Sequence, residues 1–387
     1  MPESNDVFYF DYAAATPMSE HVKHAMKPYF DGDFFNPSAP YIQARKVRDD
    51  YLTAKSQIAS SIGAKGQNLV ITCSATEANN LAFTAIALDA HVIVSPIEHP
   101  SVTRVAEQFE HLEYLKVDHH GRVDIDALES QITAETQFIS VALANHELGT
   151  IQPLSDIAAL IRTERLRRLR AGSRTPLYLH CDASAALNVL PLNVARLGAD
   201  LVTISAAKIY GPKGVAALFI SPDVRLKPQI VGGNQENGQR SGTENVPGVI
   251  GFAAAITDAQ SHAQTEAKRL NTIKTDLVKL LEQRVPEVSP IIFRHQLASH
   301  LPLVLDGFDA ERAIFFLEDR GILVSTGAAC SASKGEKSNV LTAINLTDSE
   351  IAGSLRVTLG KHTSDIDIKA LVSGLEDFIA TERARHA

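Results

Sequence analysis

Seven short apolar runs, set apart by helical or turn-rich stretches, constrain this chain more than any other feature. NLVIT (68–72), HVIVS (91–95), EYLKV (113–117), QFISVAL (137–143), PLYLHCDA (176–183), DLVTIS (200–205) and VAALFI (215–220) each read as a strand. The spacers include amphipathic patterns over 41–62, from Glu77 onward and from Ser155 onward, with a shorter one over 19–29. Such alternation predicts an α/β fold, with a mostly parallel seven-stranded sheet sandwiched by helices. A sheet of this kind binds ligands outside the carboxyl ends of its strands, so the polar residues just past each strand are the ones to collect.

They form a chemically coherent set. SATEANN follows the first strand, with Ala75 and Thr76 where a helix opens and backbone N–H groups stand ready for an anion. His99 follows the second strand within PIEHPSV, and Asn145 follows QFISVAL within NHELGT. Asp182 closes PLYLHCDA, Ser205 closes DLVTIS, and Lys208 lies three residues further on, before Gly211, Pro212 and Gly214. A lysine at the end of an inner strand is open to desolvation, which disfavours the ammonium and leaves an amine able to form a Schiff base with an aldehyde cofactor. The alternative is a lysine that snorkels to water. Taken singly, Asp182 also reads as a helix cap and His99 as a satisfied loop histidine.

After Phe219 the pattern changes. A glycine-rich polar segment, VGGNQENGQRSGTENVPG (231–248), is too regular in its punctuation for a simple linker, and a helical run over 249–285 follows it. The rest reads as a smaller α+β unit, with a loop TGAACSASKGEKSN carrying Cys330 and an apolar strand SLRVTLG interrupted by Arg356. A guanidinium in such a strand needs a carboxylate partner. The expected division is a large domain over 16–254 and a small one made of 1–15 and 255–387.

Composition narrows the function classes. A net charge of −8 and a pI near 6.0 argue against direct nucleic-acid binding, and IRTERLRRLR (161–170) reads as a solvated helix face. No apolar run approaches the roughly 20 residues needed to span a membrane. MPESNDVFYF has no secretory pattern and the three cysteines have no metal or redox-pair spacing, which suits a cytoplasmic protein with free thiols. Cys73 and Cys181, within or beside strands, read as buried and inert; Cys330, in a polar small-residue loop, does not.

With these residues placed, the chain resembles the cysteine desulfurases (NifS/IscS-like), fold-type I pyridoxal-phosphate enzymes of the class V aminotransferase group. The resemblance rests on FDYAAATP, FNPSAP, TCSATEANN, IEHPSV, NHELGTIQP, HCDAS, KIYGPKG, QRSGTENVPG, STGAACSAS and GSLRVTLG, in that order along the whole chain. It implies an aspartate-aminotransferase-like fold and pyridoxal 5'-phosphate held by Lys208, which would then act as acid and base. Asp182 would pair with the ring nitrogen, His99 would stack on the ring, and Asn145 would sit beside the ring hydroxyl and the substrate. Ala75, Thr76 and Ser205 would bind the phosphate, joined by Thr243 from the other subunit of a homodimer with shared sites. Arg356, with Asn36, would grip the carboxylate of L-cysteine. Cys330 would take the sulfur as a persulfide, releasing alanine, and pass it to an acceptor protein for iron–sulfur cluster assembly or tRNA and other nucleic-acid thiolation. Selenocysteine or cysteine-sulfinate lysis on the same scaffold, and a non-catalytic binding scaffold, are the alternatives.

Four positions depart from the family pattern. Ala207 stands where histidine usually precedes the lysine, and Ala185 where glutamine usually follows the aspartate. Asn237 and Gln239 stand where arginines are common. The two alanines each remove a hydrogen bond, roughly 1 kcal/mol if neutral and about 1.5–3 if charged, so looser cofactor binding is expected.

Overall fold

The computed structural model of the chain describes residues 7–327 and 337–386. In chain order its strands are β1 (Phe8–Tyr9), β2 (Leu69–Thr72), β3 (His91–Val94), β4 (His111–Tyr114), β5 (Thr136–Ser140) and β6 (Tyr178–Asp182). They continue as β7 (Leu201–Ser205), β8 (Ala216–Ile220), β9 (Val288–Pro290), β10 (His300–Leu305), β11 (Ile322–Leu323) and β12 (Ser354–Thr358). Seven of these form the main sheet in the order β2-β8-β7-β6-β5-β3-β4. Only β8 opposes its neighbours; the pairs from β7 to β4 are all parallel. The mostly parallel seven-stranded sheet read from the alternation is therefore the observed one.

Burial explains which runs were easiest to recognise. β2, β7 and β8 are buried at every position, as a sheet covered on both faces requires. β4 is the exception, an edge strand lying two residues earlier than EYLKV suggested. Its register is set by parallel pairing with β3, from His91↔His111 to Val94↔Tyr114, and not by its own apolar content. The chain leaves β3 for β4 on one side and returns to β5 on the other, so the order reverses there. The crevice outside the carboxyl ends of β3 and β5 is the place such a sheet reserves for a ligand.

The basic helix departs in part from the expectation of a solvated face. It spans Leu154–Arg170, and Arg168 within it is buried, donating to the backbone carbonyls of Thr136 (2.8 Å) and Thr133 (2.7 Å) and to Glu164 (2.8 Å). One arginine of the run staples the helix to the start of β5; Arg167 beside it is exposed.

A 39-residue helix, Val246–Arg284, opens with Asn245 accepting from Gly248 N (3.1 Å) and is about 58 Å long. Its buried residues at one end (Val249, Phe252, Ile256) and the other (Leu270, Leu277, Leu281) join one continuous apolar cluster. The carboxyl-terminal part adds an antiparallel sheet in the order β12-β10-β9 and a closing helix, Asp365–His386. The amino terminus returns to it: β1 pairs with β11, and Asp11 bridges to Thr358. No helix among the described residues is long and apolar enough to cross a membrane.

The glycine-rich segment is anchored by one carboxylate. Glu236 accepts from Tyr51 Oη (2.5 Å), Lys55 Nζ (2.7 Å) and the backbone N–H of Ile71 (2.9 Å), joining the helix Ile42–Ser61 and β2 to the segment. Its backbone takes φ 51°, uncommon for a residue other than glycine, and the three bonds hold it there. The Lys55–Glu236 pair is almost fully buried, with side-chain exposures of 8% and 5%. Replacing one member strands the other charge in a dry environment. Glu236→Gln is accordingly expected to lower unfolding free energy by about 3–5 kcal/mol, measurable as a shift of the denaturant midpoint at unchanged slope.

Candidate active site

A cavity of about 380 Å³ opens at the carboxyl edge of the main sheet, within the size range of small-molecule sites. Ala75, Thr76, His99, Asp182, Ser205, Lys208 and Arg356, all singled out from the sequence, line it. Four strand ends and β12 thus deliver these side chains to one space.

Each is held by local structure. The helix Ala75–Phe83 is capped by Ser74, whose hydroxyl accepts from Glu77 N (3.1 Å). The first-turn amides of Ala75 and Thr76 lie outside the helix's own ladder, and both residues line the cavity with Ser205. Lys208 ends a 3-10 turn directly after β7, and its ammonium donates to the carbonyls of Ala13 and Ala14, both at 2.6 Å. Arg356, buried in β12, donates through Nη2 to Asp11 Oδ1 (2.7 Å), the carboxylate partner its apolar strand required. Its Nε has no hydrogen-bond partner.

Asp182 belongs to a network that fixes His99. Its Oδ1 accepts from Ser184 N (2.9 Å) and its Oδ2 from Asn79 Nδ2 (2.8 Å). Asn79 Nδ2 also donates to Ser101 Oγ (2.8 Å), which lies 2.8 Å from His99 Nδ1; Ser101 N donates to the same nitrogen at 3.1 Å. With Nδ1 accepting, the network assigns the proton of neutral His99 to Nε2. Burial agrees by pushing the imidazole below its usual range, against the pull of Asp182. Asn79 was not singled out from the sequence. Its only signal was its place one turn into the helix of TEANN.

Three further lining residues were also missed. Glu98 is buried; Oε1 accepts from Ala142 N (2.7 Å) while Oε2 has no partner. Burial pushes its carboxyl up to about 8, and the charge of Asp182 adds to the effect. His146 meets His99 edge to face, with centroids 5.1 Å apart, and burial holds it well below the usual imidazole range. Glu147, likewise raised by burial, accepts from Ser338 Oγ at 2.7 Å. IEHPSV and NHELGT drew attention to His99 and Asn145, but nothing local marks Glu98, His146 and Glu147 as facing the cavity.

Other expectations fare differently. Asn145 does not line the cavity: it donates to Ile97 O (2.7 Å) and accepts from the backbone N–H groups of Glu147 (2.9 Å) and Leu148 (2.7 Å). It organises the turn that presents His146 and Glu147. Asn36 is exposed and accepts from Ser38 N (2.9 Å), away from the cavity, because its amide closes a local turn. Thr243 is exposed and also absent from the lining. Cys181 is buried as expected, but Cys73 is exposed, with partial desolvation and Glu77 raising its thiol. Cys330 lies outside the described residues; the chain leading to it lines the cavity at Gly327.

The lining fits a phosphorylated pyridine aldehyde. It offers a helix start for an anion, an amine for the aldehyde, a carboxylate for a ring nitrogen and an imidazole alongside. Three buried polar atoms, Ser184 Oγ, Glu98 Oε2 and Arg356 Nε, stand without partners on its wall. Such atoms cost stability unless a ligand or water satisfies them.

Glu98 makes the site's environment measurable. Its folded state keeps a proton that the unfolded chain releases between about 4.5 and about 8. Stability therefore falls as pH rises through that window, at about 1.4 kcal/mol per unit while the proton difference is complete. Glu98→Gln cannot ionise, so its melting temperature relative to the unsubstituted protein is expected to climb from pH 5 to pH 8. A constant difference across that range would contradict a neutral buried Glu98.

Comparison with known proteins agrees with this chemistry. Residues 8–371 match the family model described as aminotransferase class-V. Cysteine desulfurase IscS of Dictyoglomus turgidum is 36% identical over 96% of this chain and 94% of its own length. Cysteine desulfurase IscS 1 of Archaeoglobus fulgidus is 37% identical over 97% of each. Among solved structures, a NifS-like protein superimposes with a TM-score of 0.89 at 26% identity, over 97% of this chain and 100% of that one. SspA, solved in complex with cysteine, gives 0.78 at 31% identity over 91% and 98%. The chain belongs to the class V aminotransferase family and, within it, to the pyridoxal-phosphate-dependent cysteine desulfurases.

Proposed function

We propose that this enzyme converts L-cysteine to L-alanine at the cavity lined by Lys208, Asp182, His99 and Arg356, with Cys330 receiving the sulfur as a persulfide. The observation that carries the reading is the convergence of those four side chains, from three strand ends and β12, on one cavity. When bound, pyridoxal phosphate supplies a ring that takes up the electron pair left at the substrate's Cα. Lys208 holds the cofactor covalently and, once displaced by substrate, removes and returns the proton at Cα. Asp182 retains a proton on the ring nitrogen, and Asn79 and Ser184 keep its carboxylate oriented. The amides of Ala75 and Thr76, with Ser205, bind the phosphate. Arg356, steadied by Asp11, takes the substrate carboxylate through its remaining donors.

The sulfur step balances without an added oxidant. The thiolate of Cys330 attacks the substrate's Sγ; the new S–S bond forms as the Cβ–Sγ bond breaks, and its electron pair stays with Cβ. Cβ gains one proton and becomes the methyl of alanine, while the sulfur remains on the enzyme for an acceptor protein. Gly327, three residues before Cys330, lies on the cavity wall and supports this assignment.

A homodimer with shared sites completes the proposal. Thr243 is exposed and absent from its own cavity, as a contribution to the partner's phosphate site requires. Iron–sulfur cluster assembly and nucleic-acid thiolation are the proposed destinations of the sulfur.

The test is direct. The protein purified with pyridoxal phosphate should be yellow and release equal amounts of alanine and sulfide from cysteine in the presence of a thiol reductant. Colourless protein that forms no alanine would instead favour a binding scaffold. Cys330→Ala should keep its colour and lose sulfide release, and full sulfide production by that variant would remove the proposed role. Arg356→Gln should raise KM for cysteine by about 10- to 100-fold, the equivalent of one charged hydrogen bond.

A further inference from the structure

The proposed mechanism leaves Glu147 without a task. It lies within the wall of the cavity and carries a carboxyl group to which the mechanism gives no role. Its position relative to Gly327 and Ser338 accounts for it. Ser338 Oγ donates to Glu147 Oε2 at 2.7 Å and accepts from Leu341 N at 3.1 Å, so one hydroxyl caps the helix Asn339–Ala343 and ties it to the carboxylate. Gly327 lies against the same oxygen: a Cβ built on it would stand 2.3 Å from Glu147 Oε2 and 3.2 Å from Cδ. The carboxylate is backbone-supported in turn, since Glu147 N donates to Asn145 Oδ1 at 2.9 Å. Both glutamate and Ser338 are buried, with exposures of 6% and 3%.

We infer that Glu147 is a positioning residue for sulfur transfer, holding both flanks of the Cys330 segment, at Gly327 and Ser338, on one carboxylate at the cavity wall. The inference rests on Cys330 as sulfur acceptor. Ten residues lie between the two flanks in sequence, yet one oxygen touches both. A side chain at 327 would have to displace this carboxylate, whereas the backbone there adopts no conformation that favours glycine. The asparagine that seemed from the sequence to face the substrate, Asn145, acts one layer behind it by fixing the Glu147 backbone.

The experiment compares Glu147→Ala, Glu147→Gln and Ser338→Ala with the unsubstituted holoenzyme. Persulfide on Cys330 is followed in a single turnover with cysteine by alkylation and peptide mass spectrometry. Misplacing a reacting group by about 1 Å costs roughly a hundredfold, so Glu147→Ala should slow persulfide formation by about 10- to 100-fold. Glu147→Gln, which keeps an acceptor for Ser338, should recover most of the rate, and Ser338→Ala should fall between. Cofactor affinity and the KM for cysteine should stay within about twofold, because neither flank holds cofactor or substrate carboxylate. In cofactor-free protein, alkylation of Cys330 by iodoacetamide should be faster for Glu147→Ala than for Glu147→Gln. Equal single-turnover rates in Glu147→Ala and the unsubstituted enzyme would overturn the inference. So would parallel loss of cofactor affinity and rate, which marks a general structural role. Absence of persulfide on Cys330 in the unsubstituted enzyme would overturn the acceptor assignment and this inference together, which keeps the two failures distinguishable.

Discussion

The ribbon from Asp11 to Thr16 is the element on which the site depends. In six residues it offers a carboxylate to Arg356 and two carbonyls to Lys208. Thr16 Oγ1 then donates to Ala207 O (3.0 Å) and accepts from Tyr210 N (2.7 Å), tying down the turn around the lysine. The same ribbon follows β1, which pairs with β11, and bridges to β12 at Thr358. It therefore sets the distance between Lys208, beside the main sheet, and the Arg356 guanidinium of the carboxyl-terminal sheet. Without it those groups would belong to separate parts of the chain. The small residues Ala13 and Ala14 matter here because they let backbone carbonyls come close to an ammonium group.

The cavity's electrostatics follow from burial more than from charge pairing. Glu98 and Glu147 are both driven toward their neutral forms by desolvation, and so are His99 and His146. Asp182 is hydrogen-bonded by an amide and a backbone N–H and shares the cavity with Lys208 and Arg356. The walls are otherwise small and apolar, with Ala142, Ala144 and Ala185 contributing room and no donors. Ala185 supplies no donor on its wall, while the neighbouring Ser184 Oγ stands unpartnered there.

The fold was legible because its strongest signals are local. Strands buried on both faces are nearly continuous apolar runs, and β2, β7 and β8 were read within a residue or so of their ends. β4 was misjudged because it is largely exposed and carries little apolar signal, and its register comes from β3. The site was legible where a residue directly ends a strand or opens a helix, as with Asp182, Ser205, Lys208, Ala75 and Thr76. It was illegible where a side chain's direction decides its role. Asn145 and Glu147 lie two residues apart in one turn, yet the amide faces the backbone and the carboxylate faces the cavity.

The sequence alone therefore determined the class of fold, the sheet edge that carries the site, and the residue types gathered there. Apolar periodicity and the ends of strands are one-dimensional properties, and the family motifs are written along the same line. Tertiary structure decided which neutral and charged groups share the cavity, and that one carboxylate, Glu147, touches chain segments roughly 180 residues away. Those relations come from long-range packing, where a side chain's partners are set by strand order and crossover and not by its neighbours in sequence.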